Sequence, residues 1–65
     1  MYKNKIKKFR VERGMRLIDV AKKSCISVGY LCHLENGSRA NPSREVMENI
    51  SLALNKSIAE VFFEE

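Results

Sequence analysis

The chain has 65 residues, of which 45% are hydrophobic and 31% charged, with three glycines and one proline, so residues 1–65 are expected to form a single domain around one small core rather than a collagen-like or disordered polymer. The net charge of +4 is unevenly spread: Lys3, Lys5, Lys7, Lys8, Arg10, Arg13 and Arg16 against Glu12 give the first 16 residues +6, whereas Arg44 and Lys56 against Glu45, Glu48, Glu60, Glu64 and Glu65 leave residues 42–65 at −3. A basic end attracts a phosphate backbone and an acidic end repels one, so the two halves should face a nucleic acid differently.

The first helix is expected over residues 4–13. Ile6 and Phe9 share a face that Arg10 and Arg13 continue, and Gly14 follows in the position where a left-handed residue closes a helix. In "MRLIDVAKKS", Leu17, Val20 and Ala21 have the spacing of a second, short helix with Asp19 in its first turn, although neither Met15 nor Arg16 is an N-capping residue type.

Ser27 is a better cap. It opens a third helix over residues 28–36, in which Leu31 and Leu34 face inward while Val28, His33 and Asn36 point elsewhere, and Gly37 ends it. The Asn36-Gly37 pair does not make a hairpin, because the polar "SRANPS" follows and not an alternating strand. Cys25, Cys32 and His33 supply only three nearby ligands, one short of a structural zinc site, and both cysteines are expected to be reduced, small apolar fillers, with a redox switch as the alternative. A fourth helix is expected over residues 43–54, capped by Ser43 and carrying Met47, Ile50 and Leu54. Ser57 and Glu60 then have capping-box spacing ahead of a short fifth helix bearing Val61, Phe62 and Phe63. No apolar window reaches the length of about 18 residues that a membrane span requires, and the first fifteen residues are too charged for a secretory signal. A cytoplasmic protein without a membrane partner is expected.

This ordered set resembles the phage repressor and Cro-like helix-turn-helix family, also called the XRE family. The matching features are Ala21 in helix 2, Ile26 and Ser27 at the turn, Leu31, Leu34 and Glu35-Asn36-Gly37 closing helix 3, Pro42-Ser43 before helix 4 and Ser57 before helix 5. The resemblance implies an all-α, compact five-helix domain of the lambda-repressor-like type, whose third helix enters the major groove of double-stranded DNA. It implies base contacts from Val28, Gly29 and His33, with His33 alternatively on a phosphate. Backbone contacts are implied for Arg16, Ser27, Tyr30, Asn36, Ser38, Arg39 and Arg44, and an internal ion pair for Arg10 and Glu35. Tyr30 would otherwise be a plain surface aromatic, and Arg10 otherwise a solvent-facing, DNA-steering charge.

The chain departs from the family pattern in two places. Leu17 stands where a backbone-contacting Gln is common, and Cys25 stands where Gly is frequent, which leaves open whether the turn there is left-handed or merely tight. Leu52, Ile58, Phe62 and Phe63 exceed the needs of so small a core; they would cover its open side or form a patch for a partner, most economically a second copy in a homodimer on a palindromic operator. A second protein partner, as for an antitoxin-like subunit, and an adaptor that kept the fold without binding DNA are the alternatives. One histidine and no glycine-rich phosphate loop argue against an enzyme, and no cofactor is expected.

Overall fold

The computed structural model describes residues 4–37 and 42–63, and these form an all-α, five-helix arrangement of the lambda-repressor-like kind. The helices are α1 (Ile6–Glu12), α2 (Leu17–Ser24), α3 (Val28–Glu35), α4 (Arg44–Leu54) and α5, a short π-type turn of helix (Ala59–Phe63). Ile6 and Phe9 from α1, Val20 and Ala21 from α2, Leu31 and Leu34 from α3, Ile50, Ala53 and Leu54 from α4, and Val61 and Phe62 from α5 make one buried cluster. Helix α2 packs most extensively on α4 and next on α3, while α1 touches α3, α4 and α5. Among the described residues, no helix is long and apolar enough to cross a membrane.

The joins between helices explain why such short helices hold. Helix α1 begins two residues later than its sequence suggests, because Asn4 is engaged elsewhere. Its Oδ1 accepts from the Ile6 N–H at 3.0 Å and its Nδ2 donates to the Leu34 carbonyl at 2.8 Å, tying the entry of α1 to the last turn of α3. Helix α2, whose start carries no recognisable cap, is capped from inside: the Arg16 N–H donates to Asp19 Oδ2 at 2.8 Å, the returning half of a capping box. An arginine side chain has no acceptor, so the other half is not made, and the guanidinium pairs with the same carboxylate instead. Ser27 and Ser43 accept from the Tyr30 and Val46 N–H groups, and Ser57 and Glu60 complete a reciprocal capping box at 3.1 and 3.0 Å.

Helices α1, α2 and α4 end alike. A left-handed residue (Gly14, Cys25 or Asn55) donates to the carbonyl three residues back, and the next N–H reaches five back: Met15 to Arg10, Ile26 to Ala21, Lys56 to Ser51. This is the Schellman closure, and it needs positive φ. Cys25 has φ 61°, so the turn that replaces the family's frequent Gly is left-handed.

Two assignments change. Phe62 is only 5% exposed and belongs to the core, so it is removed from the interface candidates; the widened π-type turn brings Val61 and Phe62 inward together. Cys25 and Cys32 are both exposed free thiols and fill no part of the core. Two core positions on α2 and α4 are polar, Ser24 and Ser51, and neither hydroxyl has a hydrogen-bond partner among the described residues.

Candidate nucleic-acid interface

Helix α3 is held firmly on its inner side. Leu31 and Leu34 are fully buried, Ser27 caps the first turn, and Asn4 grips the last. Beside them, Arg10 Nε lies 2.6 Å from Glu35 Oε2 and Nη2 lies 3.3 Å from Oε1, a two-pronged pair whose side chains are 14% and 8% exposed. The third nitrogen, Nη1, donates to the Met15 carbonyl at 2.9 Å, so one guanidinium joins α1, the loop after it and α3. Charge-assisted bonds of this geometry offset part of the desolvation that burying both groups requires. Arg10 is therefore turned inward and is not one of the outward basic charges.

Among the described residues, none covers the outer side of α3. At about 100° per residue, Gly29, Cys32, His33 and Asn36 fall on the side opposite Leu31 and Leu34, and all four are exposed. Val28 flanks this stripe at 40% exposure. Tyr30 is half-buried and packs its ring against the core. Ser27 is exposed, and because its Oγ accepts in the cap, its own proton still has to find an acceptor. Cys32 belongs to the outward stripe although its sequence reading made it a core filler; the signal was its position three residues after Gly29 and four after Val28, which are outward positions themselves.

The candidate phosphate contacts are distributed around this stripe. Arg16 lies at the start of α2, highly exposed but paired with Asp19 at 3.1 Å. That guanidinium, first through its side-chain hydrogen bond, and then the Arg16 backbone N–H hold the Asp19 carboxyl below the ordinary carboxylate range. Arg44 opens α4, with a looser contact to Glu48 at 3.6 Å. Each arginine must share its charge between a carboxylate and any phosphate it meets. Asn36 is the residue at which α3 ends. Ser38 and Arg39 lie outside the described residues.

A second surface lies on α4 and the segment leading into α5. Leu52 is 78% exposed and Phe63 65% exposed, whereas Ile58 is half-buried against the core. Glu48, Asn49, Ser51, Leu52, Lys56 and Ile58 line an open groove there. No group of three or more His, Cys, Asp or Glu side chains converges on a metal position among the described residues.

A family model described as "Helix-turn-helix" matches residues 6–61. The chain is 33% identical over 58 residues to the HTH-type transcriptional regulator SinR of Bacillus subtilis (strain 168), covering 89% of this chain and 52% of that protein. It thus spans about half the length of the curated relatives it matches first. Among solved structures, a SinR protein/SinI protein complex superposes with a TM-score of 0.80 at 33% identity, over 85% of this chain and 53% of that one. A crystal structure of SinR, the master regulator for biofilm formation, in complex with DNA superposes at 0.78 and 33% identity, over 83% and 86% of the two chains.

Proposed function

We propose, from the premise that the chain belongs to the XRE/Cro-type helix-turn-helix family, that it is a transcriptional regulator that binds double-stranded DNA sequence-specifically with α3 in the major groove. The observation that carries this reading is the asymmetry of α3. Its inner side is fixed by Leu31, Leu34 and the Arg10–Glu35 pair, and its outer side is left to a partner. Val28, Gly29 and His33 are the proposed base-facing residues, while Arg16, Ser27, Tyr30, Asn36, Ser38, Arg39 and Arg44 are proposed to meet the sugar-phosphate walls. SinR, the relative solved with DNA, is a transcriptional regulator, which supports a regulatory role for this chain.

One α3 reads only a few base pairs, so a homodimer on a two-fold symmetric operator is proposed, paired through Leu52, Ile58 and Phe63. A separate protein partner at the same apolar surface is the second reading, favoured by the exposure of Leu52 and Phe63 and by the existence of a SinR complex with SinI.

Selection of bound duplexes from a random pool, followed by fluorescence anisotropy at several salt concentrations, tests the proposal. The expected result is a preferred symmetric site, with log affinity falling against log salt by about 0.9 per neutralised phosphate. Absence of binding to selected or bulk duplex at low salt would overturn it in favour of an adaptor.

A further inference from the structure

Gly29 stands in the first turn of α3, where its backbone is ordinarily helical. Glycine loses more conformational freedom in a helix than alanine does, so it weakens the helix unless something requires it. Nothing in the described fold does: a Cβ built at Gly29 meets no atom within 4 Å, and no positive φ forces the choice, in contrast to Gly14 and Gly37. The missing side chain leaves the backbone of α3 open to close approach by a partner.

The surroundings of Gly29 narrow the chemistry of that partner. Cys32 and His33 lie three and four residues on, so they are its neighbours on the helix surface, and side chains in a helix lean toward the N-terminal end. The exposed Cys32 thiol borders the open position at Gly29 on the same stripe without closing on it, with the partly exposed Val28 on its other flank. Val28 and Cys32 offer a soft, apolar wall, and His33 alone offers a strong hydrogen-bonding group. The major groove presents one apolar group, the C5-methyl of thymine, against otherwise polar base edges. Resting on the DNA-reading role proposed above, we infer that Gly29, Cys32 and Val28 form a shallow notch that seats a thymine methyl, with Cys32 as an additional specificity-determining residue. The glycine acts by leaving space.

The test compares the full chain with Gly29→Ala and Cys32→Ser on the selected duplex, on copies in which single thymines are replaced by deoxyuridine, and on bulk duplex. Removing one such methyl in a single half-site should weaken the full chain by about fourfold, the worth of burying one methyl group, and removing it in both half-sites by about fifteenfold. Gly29→Ala should melt at an equal or higher temperature by circular dichroism, bind the selected duplex more weakly, bind bulk duplex unchanged, and lose its response to deoxyuridine. Cys32→Ser should reduce that response in part. The inference is overturned if no thymine in the selected site responds to loss of its methyl. It is also overturned if Gly29→Ala melts lower, which would give glycine a role in the fold, or if that variant weakens all duplexes equally, which would put a phosphate at the notch. A full chain that selects no duplex at all would refute the DNA-reading role itself.

Discussion

Removing either member of the Arg10–Glu35 pair should unfold a large fraction of the molecules, and the size of the loss follows from the structure. Arg10→Ala strands the Glu35 carboxylate at 8% side-chain exposure and takes the donor from the Met15 carbonyl; Glu35→Ala leaves the guanidinium, 14% exposed, with the Met15 carbonyl alone. Breaking a fully buried pair costs about 3–5 kcal/mol. Some water access at both groups, and the Met15 bond retained in Glu35→Ala, bring the expectation to about 2–4 kcal/mol for each single variant. Small domains rarely have more than about 3–5 kcal/mol in hand, so the variants are best measured by urea titration with a stabilising osmolyte present. Because the residues share two contacts, the double variant should lose less than the sum of the singles by about 1–3 kcal/mol. Arg10→Met with Glu35→Leu should recover much of the stability, since no charge then needs desolvation. Additivity within about 0.5 kcal/mol would refute the tie. A normally stable Arg10→Ala with weakened DNA binding would return Arg10 to the steering charges.

Cys25→Gly should raise stability by about 0.5–1 kcal/mol in chemical denaturation, because glycine adopts φ 61° without the strain a β-carbon brings, less its own entropy loss. Ser51→Ala should raise stability by about 1 kcal/mol in the same assay, because its hydroxyl is buried without a partner; a loss would reveal a bond that the hydroxyl makes. Folding holds the Asp19 carboxyl below its ordinary range, so its contribution is present above the unfolded value and lost as pH falls through the folded one; melting temperature should decline below about pH 4, and less so for Asp19→Asn. Pairing through the groove should fail in Leu52→Asp with the melting temperature nearly unchanged, whereas exchanging the groove's two charges as Glu48→Lys with Lys56→Glu should preserve it, because a two-fold contact remains complementary when both signs are exchanged. Sedimentation on a symmetric duplex reads both.

The parts of this molecule that depend on neighbours in sequence were legible without coordinates. Ser27, Ser43 and the Ser57–Glu60 box sit at helix starts, and Gly14 and Gly37 are left-handed just beyond helix ends, because caps and closures are chemistry between residues a few positions apart. The inward facing of Leu31 and Leu34 followed from periodicity alone. What escaped depended on partners distant in sequence or on departures from regular helix. Asn4 is taken out of α1 by a carbonyl thirty residues away, and the cap of α2 comes from Asp19 because the residue before the helix is an arginine. Phe62 and Phe63 are adjacent and chemically identical, so only the geometry of the π-type turn decides that Phe62 is buried and Phe63 is not. Cys32 was misplaced because a cysteine's apolarity suits a core as well as a groove, and the helical angle separating it from Leu31 carried more information than its composition.

DNA reading by the outer face of α3 can be followed residue by residue by titrating the isotopically labelled chain with a selected duplex and recording amide resonances by NMR. The largest changes should fall on residues 27–33 and around Arg16, with Leu52, Ile58 and Phe63 affected only as two copies come together on a symmetric site. Changes centred on α4 and α5, with the amides of α3 unmoved at saturating duplex, would contradict it.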